Sequence, residues 1–456
     1  MTAALARALL PYPGLRPFER HEADIFFGRE TQVDTMVDRL GRRRLLAVTG
    51  SSGSGKSSLV RAGLLEALET GLLATAGPVW RFATLRPGGH PMTELAVALL
   101  EAPGGARTPD DVALRRAGLE RGPLSLIEEL RERPLPDRGN LLILVDQFEE
   151  LFRYRSLAGR EEAEAFVTLL LASANEGRVP IYIVLTMRSD FLGRCAEFDG
   201  LAEAVTDAQY LCPRLSREQI AAAVEGPAKV FKGEVEPHLV SRIVNDMGTA
   251  PDQLPLMQHA LMRLWERACA HDPNAPVLRL DDYLAEDGIK GSLSRHADEI
   301  LAEITRDGLQ RGETVWRLFC LLVEGDGENA VRRLAPVSEI IAVAGKSLDE
   351  IAAVADPFRA PGRSLLMPTL DRPLACDTVL DISHESLIRQ WQTLKDWVRA
   401  EAASAELYRE IERRARRWDA GSAAFLDGTD LDVALAGRER EHPAAPWLRA
   451  IAATSL

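Results

Sequence analysis

Residues 45–57 read LLAVTGSSGSGKS, an apolar run that breaks into Gly50, Ser51, Ser52, Gly53, Ser54, Gly55, Lys56 and Ser57. These last eight residues fit GxxxxGK[ST], and they stand where that pattern has a mechanism, between a strand-like run and the helical pattern SSLVRAGLLEAL. Gly50, Gly53 and Gly55 let the backbone curl so that successive N–H groups point at phosphate oxygens. The start of the following helix, from Lys56 through Ser58, adds its positive partial charge. Lys56 supplies a mobile charge for the β- and γ-phosphates, and Ser57 a hydroxyl for a magnesium ion. The stretch from Gly50 to Ser58 is therefore read as a nucleotide phosphate site, with ATP or ADP and Mg2+ as its ligands.

The runs around this loop set the fold class. WRFATLR at 80–86, LLILVD at 141–146 and IYIVLTMR at 181–188 alternate with helical patterns. Continuous apolar runs of this kind suit strands covered on both faces, so an α/β fold with a mostly parallel sheet is expected. The last two of these runs end in a candidate side chain. Asp146 closes LLILVD and is read as the carboxylate that holds the metal's water shell. Gln147 beside it cannot act as a base, but Glu149 and Glu150 lie within one helical turn, and the sequence does not separate them. Arg188 closes IYIVLTMR at a strand end, where open α/β sheets bind ligands; it reads either as a γ-phosphate contact or as one side of a surface salt bridge, with Asp190 or elsewhere.

Upstream, PYPGLRPFERHE at 11–22 is Pro-rich and aperiodic, an arm leading into FFGRE at 26–30. Val33, Met36, Val37 and Leu40 then mark one apolar helix face. Beyond 212 the strand-like runs stop, and SREQIAAAVEGPA, DQLPLMQHALMRLWERA and DDYLAEDGIKGSLSRHADEILAEI are helical in pattern, with Ser216 as a helix start. Residues 313–400 offer helices, then the strand-like SLLMPTL and TVLDIS, then ISHESLIRQW at 382–391, where His384 on its own reads as a helix-start residue or a satisfied surface imidazole. Helices followed by a two-stranded ribbon are the pattern of a winged helix.

The 456 residues suffice for about three domains. Lys and Arg number 55 against 68 Asp and Glu, and a net charge of -13 argues against nucleic acid or anionic lipid as the main partner. Five scattered cysteines without a CxxC pair suit a reducing compartment. With no secretory leader in the first residues and no run of ~20 apolar residues, a cytoplasmic protein without a membrane partner is expected.

Through PYPGLRPF, FFGRE, GSSGSGKSSLVRAGL, LLILVDQFEELF, TMRSDFLGR and ISHESLIRQW, the chain resembles the STAND-class P-loop NTPases, and within them the bacterial novel STAND group. The resemblance implies an arm at 1–22, a P-loop core of the additional-strand type at 23–212, a helical lid domain at 213–305, a winged-helix domain at 306–400, and a helical segment at 401–456 leading to a sensor outside this chain. It also implies that Phe27, Gly28 and Arg29 lie near the adenine and that Lys56, Ser57 and Asp146 serve phosphate and magnesium. Glu149 and Glu150 correspond to the acidic pair, Arg188 to the sensor arginine, Pro255 to a proline against the base, and His384 to a histidine on the β-phosphate of ADP. The implied activity is a signalling switch with slow ATP hydrolysis, self-association in the ATP state, and effector and sensor partners outside the chain, in bacterial defence or stress signalling. Two other classes are open at this level: a turnover-driven remodelling ATPase related to AAA+ proteins, and a winged-helix transcription regulator, against which the acidic balance speaks.

Overall fold

The computed structural model describes residues 10–102, 108–153, 159–248, 252–306, 308–325 and 330–421, with Gly428, Leu431, Asp432, Ala434 and Leu435 beyond them. The beginning of the expected arm and most of the expected C-terminal segment past 421 lie outside the described residues. The chain divides into two compact units, one built on Pro17–Leu254 with His271–Leu278, the other on Tyr12–Arg16, Pro255–Ala270 and the chain from Arg279. The division falls inside the stretch 213–305: the helices Arg217–Val230 and Pro237–Asp246 belong with the sheet, the helix Gly288–Thr305 with the C-terminal part.

In the first unit, β1 (Leu45–Gly50), β2 (Trp80–Leu85), β3 (Asn140–Val145), β4 (Ile181–Arg188) and β5 (Gln209–Leu211) form one parallel sheet in the order β2-β3-β4-β1-β5. β1, β3 and β4 are strands covered on both faces, every position of β1 and β3 being buried, whereas the edge strand β2 leaves Thr84 exposed. Leu46, Val48, Leu142, Leu144 and Val184 pack with Met36, Val37 and Leu40 of α1 (Glu30–Arg43) and with Leu59, Val60 and Leu64 of the phosphate helix, α2 (56–69). The alternate residues Ala47, Ile143, Val145, Ile183 and Leu185 pack with Leu95, Phe166, Leu170 and Val205 from helices on the other side. Burying one such side chain contributes roughly 1.5–3 kcal/mol, whereas an exposed pair such as Arg42–Asp38 contributes at most about 1 kcal/mol. Packing on the two faces therefore sets the frame that carries the site.

Strands do not stop at 212 as the pattern suggested, since Glu234–Val235 pairs in parallel with Val277–Leu278. A ladder of two residues is too short for a period-2 signal. The strand order has one functional consequence. With β4 inserted between β1 and β3, the C-terminal ends of the strands carrying Gly50, Arg188 and Asp146 lie side by side.

In the second unit, helices Leu309–Leu321, Val337–Ala344 and Leu348–Arg359 accompany a three-stranded antiparallel sheet in which Val379–Ile382 lies between Ala335–Pro336 and Leu366–Met367. The ribbon expected from SLLMPTL and TVLDIS is present with this additional edge strand. Phe319 meets Phe358 and Trp391 edge-on, at 4.9 and 5.0 Å between ring centres. The helix expected from His384 is broken in two, Ser386–Gln390 and Gln392–Asp419. Trp391 causes the break: it is extended and fully buried, and its indole N–H donates to Asp298 Oδ1 at 2.7 Å. Burying that large ring with its one polar atom satisfied outweighs a turn of helix.

Candidate nucleotide site

The phosphate loop leaves β1 at Gly50, which is paired in register with Arg188 of β4. Gly53 and Gly55 take φ of 68° and 85°, and a Cβ on Gly53 would come within 2.5 Å of the Asp252 Cα, so glycine is required there for conformation and space alike. Lys56 Nζ folds over its own loop and donates to the carbonyls of Gly50 at 3.0 Å and Ser51 at 2.8 Å. Burial lowers the Lys56 ammonium below its ordinary range, against the opposing pull of Glu149, Cys212 and Asp146. Ser52 Oγ donates to Asp252 Oδ1 at 2.9 Å, and Ser58 Oγ accepts from the Phe18 amide at 3.1 Å.

Asp146 is fully buried one residue past the end of β3. Its Oδ1 accepts from Ser57 Oγ at 2.8 Å and from Thr186 Oγ at 2.6 Å, and its Oδ2 faces Arg61 at 2.9 Å. Burial alone would raise this carboxyl, but the charges of Arg61 and Arg86 and the two hydroxyl bonds outweigh it and hold it at about 2. An ionised carboxylate and a hydroxyl side by side at a helix start fit a hard divalent cation that keeps most of its waters. Among the described residues no group of three or more His, Cys, Asp or Glu suits a metal held by protein alone, so a cation here depends on phosphate and water as further ligands.

The two glutamates that the sequence left equivalent differ in surroundings. Glu149 Oε2 accepts the Arg188 amide at 3.3 Å and lies within the field of Lys56; burial pushes its carboxyl upward, and Lys56 and that amide partly offset the rise. Glu150 Oε2 accepts instead from the Gly88 amide at 3.3 Å, on the loop after β2. The Arg188 guanidinium holds both oxygens of Asp190, through Nε at 3.1 Å and a terminal nitrogen at 2.7 Å, which is the second of the two readings the sequence allowed. It is near enough to Lys56 to lower that ammonium further.

FFGRE also has a local logic. A Cβ on Gly226 would strike the Phe27 ring at 2.5 Å, so the ring packs directly against the helix Arg217–Val230. Gly28, at φ 84°, presses on the Gln219 carbonyl of the same helix. Arg29 is buried, and its guanidinium donates to Pro213 O at 2.7 Å and to Ser54 O at 3.0 Å, linking the phosphate loop to the segment entering that helix. Ser216 caps the helix, as its pattern indicated, by accepting from the Gln219 amide.

Phe27, Gly28, Arg29, the loop, Asp146, Glu149, Glu150 and Arg188 all belong to the first unit. Pro255 and His384 belong to the second. Pro255 stands in the first turn of Gln253–His271, where a missing N–H costs no helical bond. His384 Nδ1 accepts the Ser386 amide at 3.1 Å and lies 2.7 Å from Ser386 Oγ, so the ring starts the short helix. An Nδ1 that accepts an amide proton leaves the ring hydrogen of the neutral form on Nε2. Sequence reasoning missed Thr186, Arg61, Arg86 and Asp252. For the first two a signal existed, a hydroxyl inside an apolar strand and a lone cation inside an apolar helix.

The sequence model of the family described as Novel STAND NTPase 1 matches residues 11–424. Among curated proteins, none matches the chain. Among solved structures the fold is similar to the ORC2 protein of Aeropyrum pernix in its ADPNP-ADP complexes, with 13% identity, 87% of this chain and 97% of that one covered, and a TM-score of 0.45. It is also similar to Cdc6p of Pyrobaculum aerophilum, at 13% identity, 82% and 94% coverage and a TM-score of 0.37. The Walker-type ATPase of Pyrococcus abyssi is a third, at 14% identity, 83% and 99% coverage and a TM-score of 0.40. All three are distant likenesses.

Proposed function

The chain belongs to the Novel STAND NTPase 1 family, and on that premise we propose that it is an ATP/ADP-dependent signalling switch whose slow hydrolysis resets an assembly state. The observation that supports this most is the gathering of Lys56, the Ser57–Asp146 pair, Glu149 and the Arg188 backbone at the C-terminal ends of β1, β3 and β4. Lys56 exchanges its two loop carbonyls for β- and γ-phosphate oxygens. Ser57 and Asp146 would be the residues that hold magnesium, whose charge would offset that of the phosphates. Glu149 orients the attacking water, helped by a carboxyl that burial keeps more basic than usual. Arg188 gives up Asp190 for the γ-phosphate, and so reports which nucleotide is bound. Phe27, Gly28 and Arg29 form the adenine side, together with Pro255.

In this proposal the three helices and antiparallel sheet of the second unit are a winged helix, the helices before them a lid, and His384 the donor to the β-phosphate of ADP. Anchoring of Nδ1 by Ser386 is compatible with that role, since it places the hydrogen of the neutral ring on Nε2. A resting ADP form and an assembling ATP form then differ in contacts at His384, as a population shift requires. None of the described helices is long and apolar enough to cross a membrane.

The test is the protein's mass by light scattering with ADP and with ATP, alongside the nucleotide that copurifies. The switch predicts retained ADP, a monomer with ADP and a larger assembly with ATP. Fast steady turnover with the same mass in both nucleotides would instead support a remodelling ATPase. His384→Ala should speed ADP release by about tenfold, the effect of losing one phosphate hydrogen bond of roughly 1.5 kcal/mol. An unchanged ADP off-rate leaves His384 with its helix-start role alone.

A further inference from the structure

Asp146 is also held from a direction that phosphate chemistry does not require. Arg61 lies four residues past Ser57 on the phosphate helix, on the same face, so hydroxyl and guanidinium reach the two oxygens of one carboxylate. The guanidinium is shared: its other terminal nitrogen donates to Glu19 Oε1 at 2.6 Å. Arg61 is only 16% exposed, Asp146 0% and Glu19 41%, so one buried cation bridges the metal-side carboxylate and an acid on the arm.

The arm is fixed where it presents that acid. Phe18 is buried against Ile25 and Ala62, and its amide donates to Ser58 Oγ at 3.1 Å. The Glu19 amide donates to Glu22 Oε2 at 2.9 Å in a capping box that starts the short helix Arg20–Ile25. Tyr12–Arg16 belongs to the second unit and Pro17–Leu254 to the first, so Phe18 and Glu19 follow directly on the Arg16–Pro17 bond at which the chain passes from one unit to the other.

A cation at Asp146 Oδ2 competes electrostatically with a magnesium ion that needs the same negative charge, and an acid on the cation's far side weakens its hold. We infer that Arg61 is a positioning residue through which Glu19 sets how firmly Asp146 engages the magnesium of a bound nucleotide. The N-terminal arm is then a regulator of the site. This inference rests on the nucleotide reading above.

Fluorescent ADP binding to the full chain, with magnesium titrated from an EDTA baseline, tests it. Glu19→Gln removes the charge that competes with Asp146 for Arg61 and should raise the half-saturating magnesium about fivefold; Arg61→Gln should lower it by about the same factor, on the scale of a partly exposed ion pair. The double variant should match Arg61→Gln alone, because Glu19 acts only through Arg61, and a purely structural role would instead give additive effects. ADP affinity in EDTA should stay within about twofold for all of them. Glu19→Gln is isosteric and at a partly exposed site, so it carries the test even where removing Arg61 impairs folding. An unchanged magnesium midpoint in Glu19→Gln, or additivity in the double variant, overturns the inference. ADP binding that ignores magnesium in the wild-type chain overturns it while sparing the nucleotide site, and no binding at all removes both.

Discussion

Lys56→Ala should weaken ATP and ADP binding by about 100-fold or more, the scale of losing charge-assisted bonds to two phosphate groups. The same variant should keep its melting temperature within a few degrees. The two expectations come from one observation. In the structure the Lys56 side chain is half-buried and its ammonium donates to the carbonyls of Gly50 and Ser51, and desolvation disfavours its charged form. Removing it relieves a desolvation cost and frees two carbonyls at the mouth of the loop, so the fold loses little. What is lost is the charge that phosphate needs. Calorimetric titration of ATP against wild type and variant decides the matter: equal affinities would show that the loop does not hold phosphate through Lys56, whereas a large fall in melting temperature would make the residue structural.

The same contrast between local and distant causes explains what was legible from the residues alone. The loop from Gly50 to Ser57 and the end positions of Asp146 and Arg188 were readable because apolar runs ending in a polar residue report strands buried on both faces. The parallel register that sets Arg188 beside Gly50 is a property of strand order, which no local pattern carries. Thr186 and Arg61 bind Asp146 across 40 and 85 residues of sequence, and Asp252 reaches Ser52 across 200. A local window marks Thr186 and Arg61 as unusual in apolar surroundings but shows none of these pairings. The break at Trp391 was invisible for the related reason that the acceptor of its buried indole, Asp298, lies 93 residues away.

The pair Glu149 and Glu150 shows what a fold adds when chemistry alone leaves two answers. Both are buried, and one helical turn from Asp146 allowed either. The turn actually formed gives Gln147 a φ of 58°, sends Glu149 to the Arg188 amide and into the field of Lys56, and gives Glu150 the amide of Gly88. On the nucleotide reading proposed above, a carboxylate that is to orient water would lie by the γ-phosphate, beside Lys56, and should be more basic than a free side chain. Of the two acids, Glu149 fits that proposal, through the Lys56 field and the upward push of burial. Glu149→Gln should therefore lower the single-turnover hydrolysis rate by roughly 100- to 1,000-fold, the usual worth of a positioned base, while ATP affinity changes by less than about threefold. Glu150→Gln keeps an acceptor oxygen for Gly88 and should cost hydrolysis only about threefold. Single-turnover assays with saturating magnesium separate the cases: a large loss in Glu150→Gln with a small one in Glu149→Gln would transfer the role, and equal losses would mean that the two acids act as one unit.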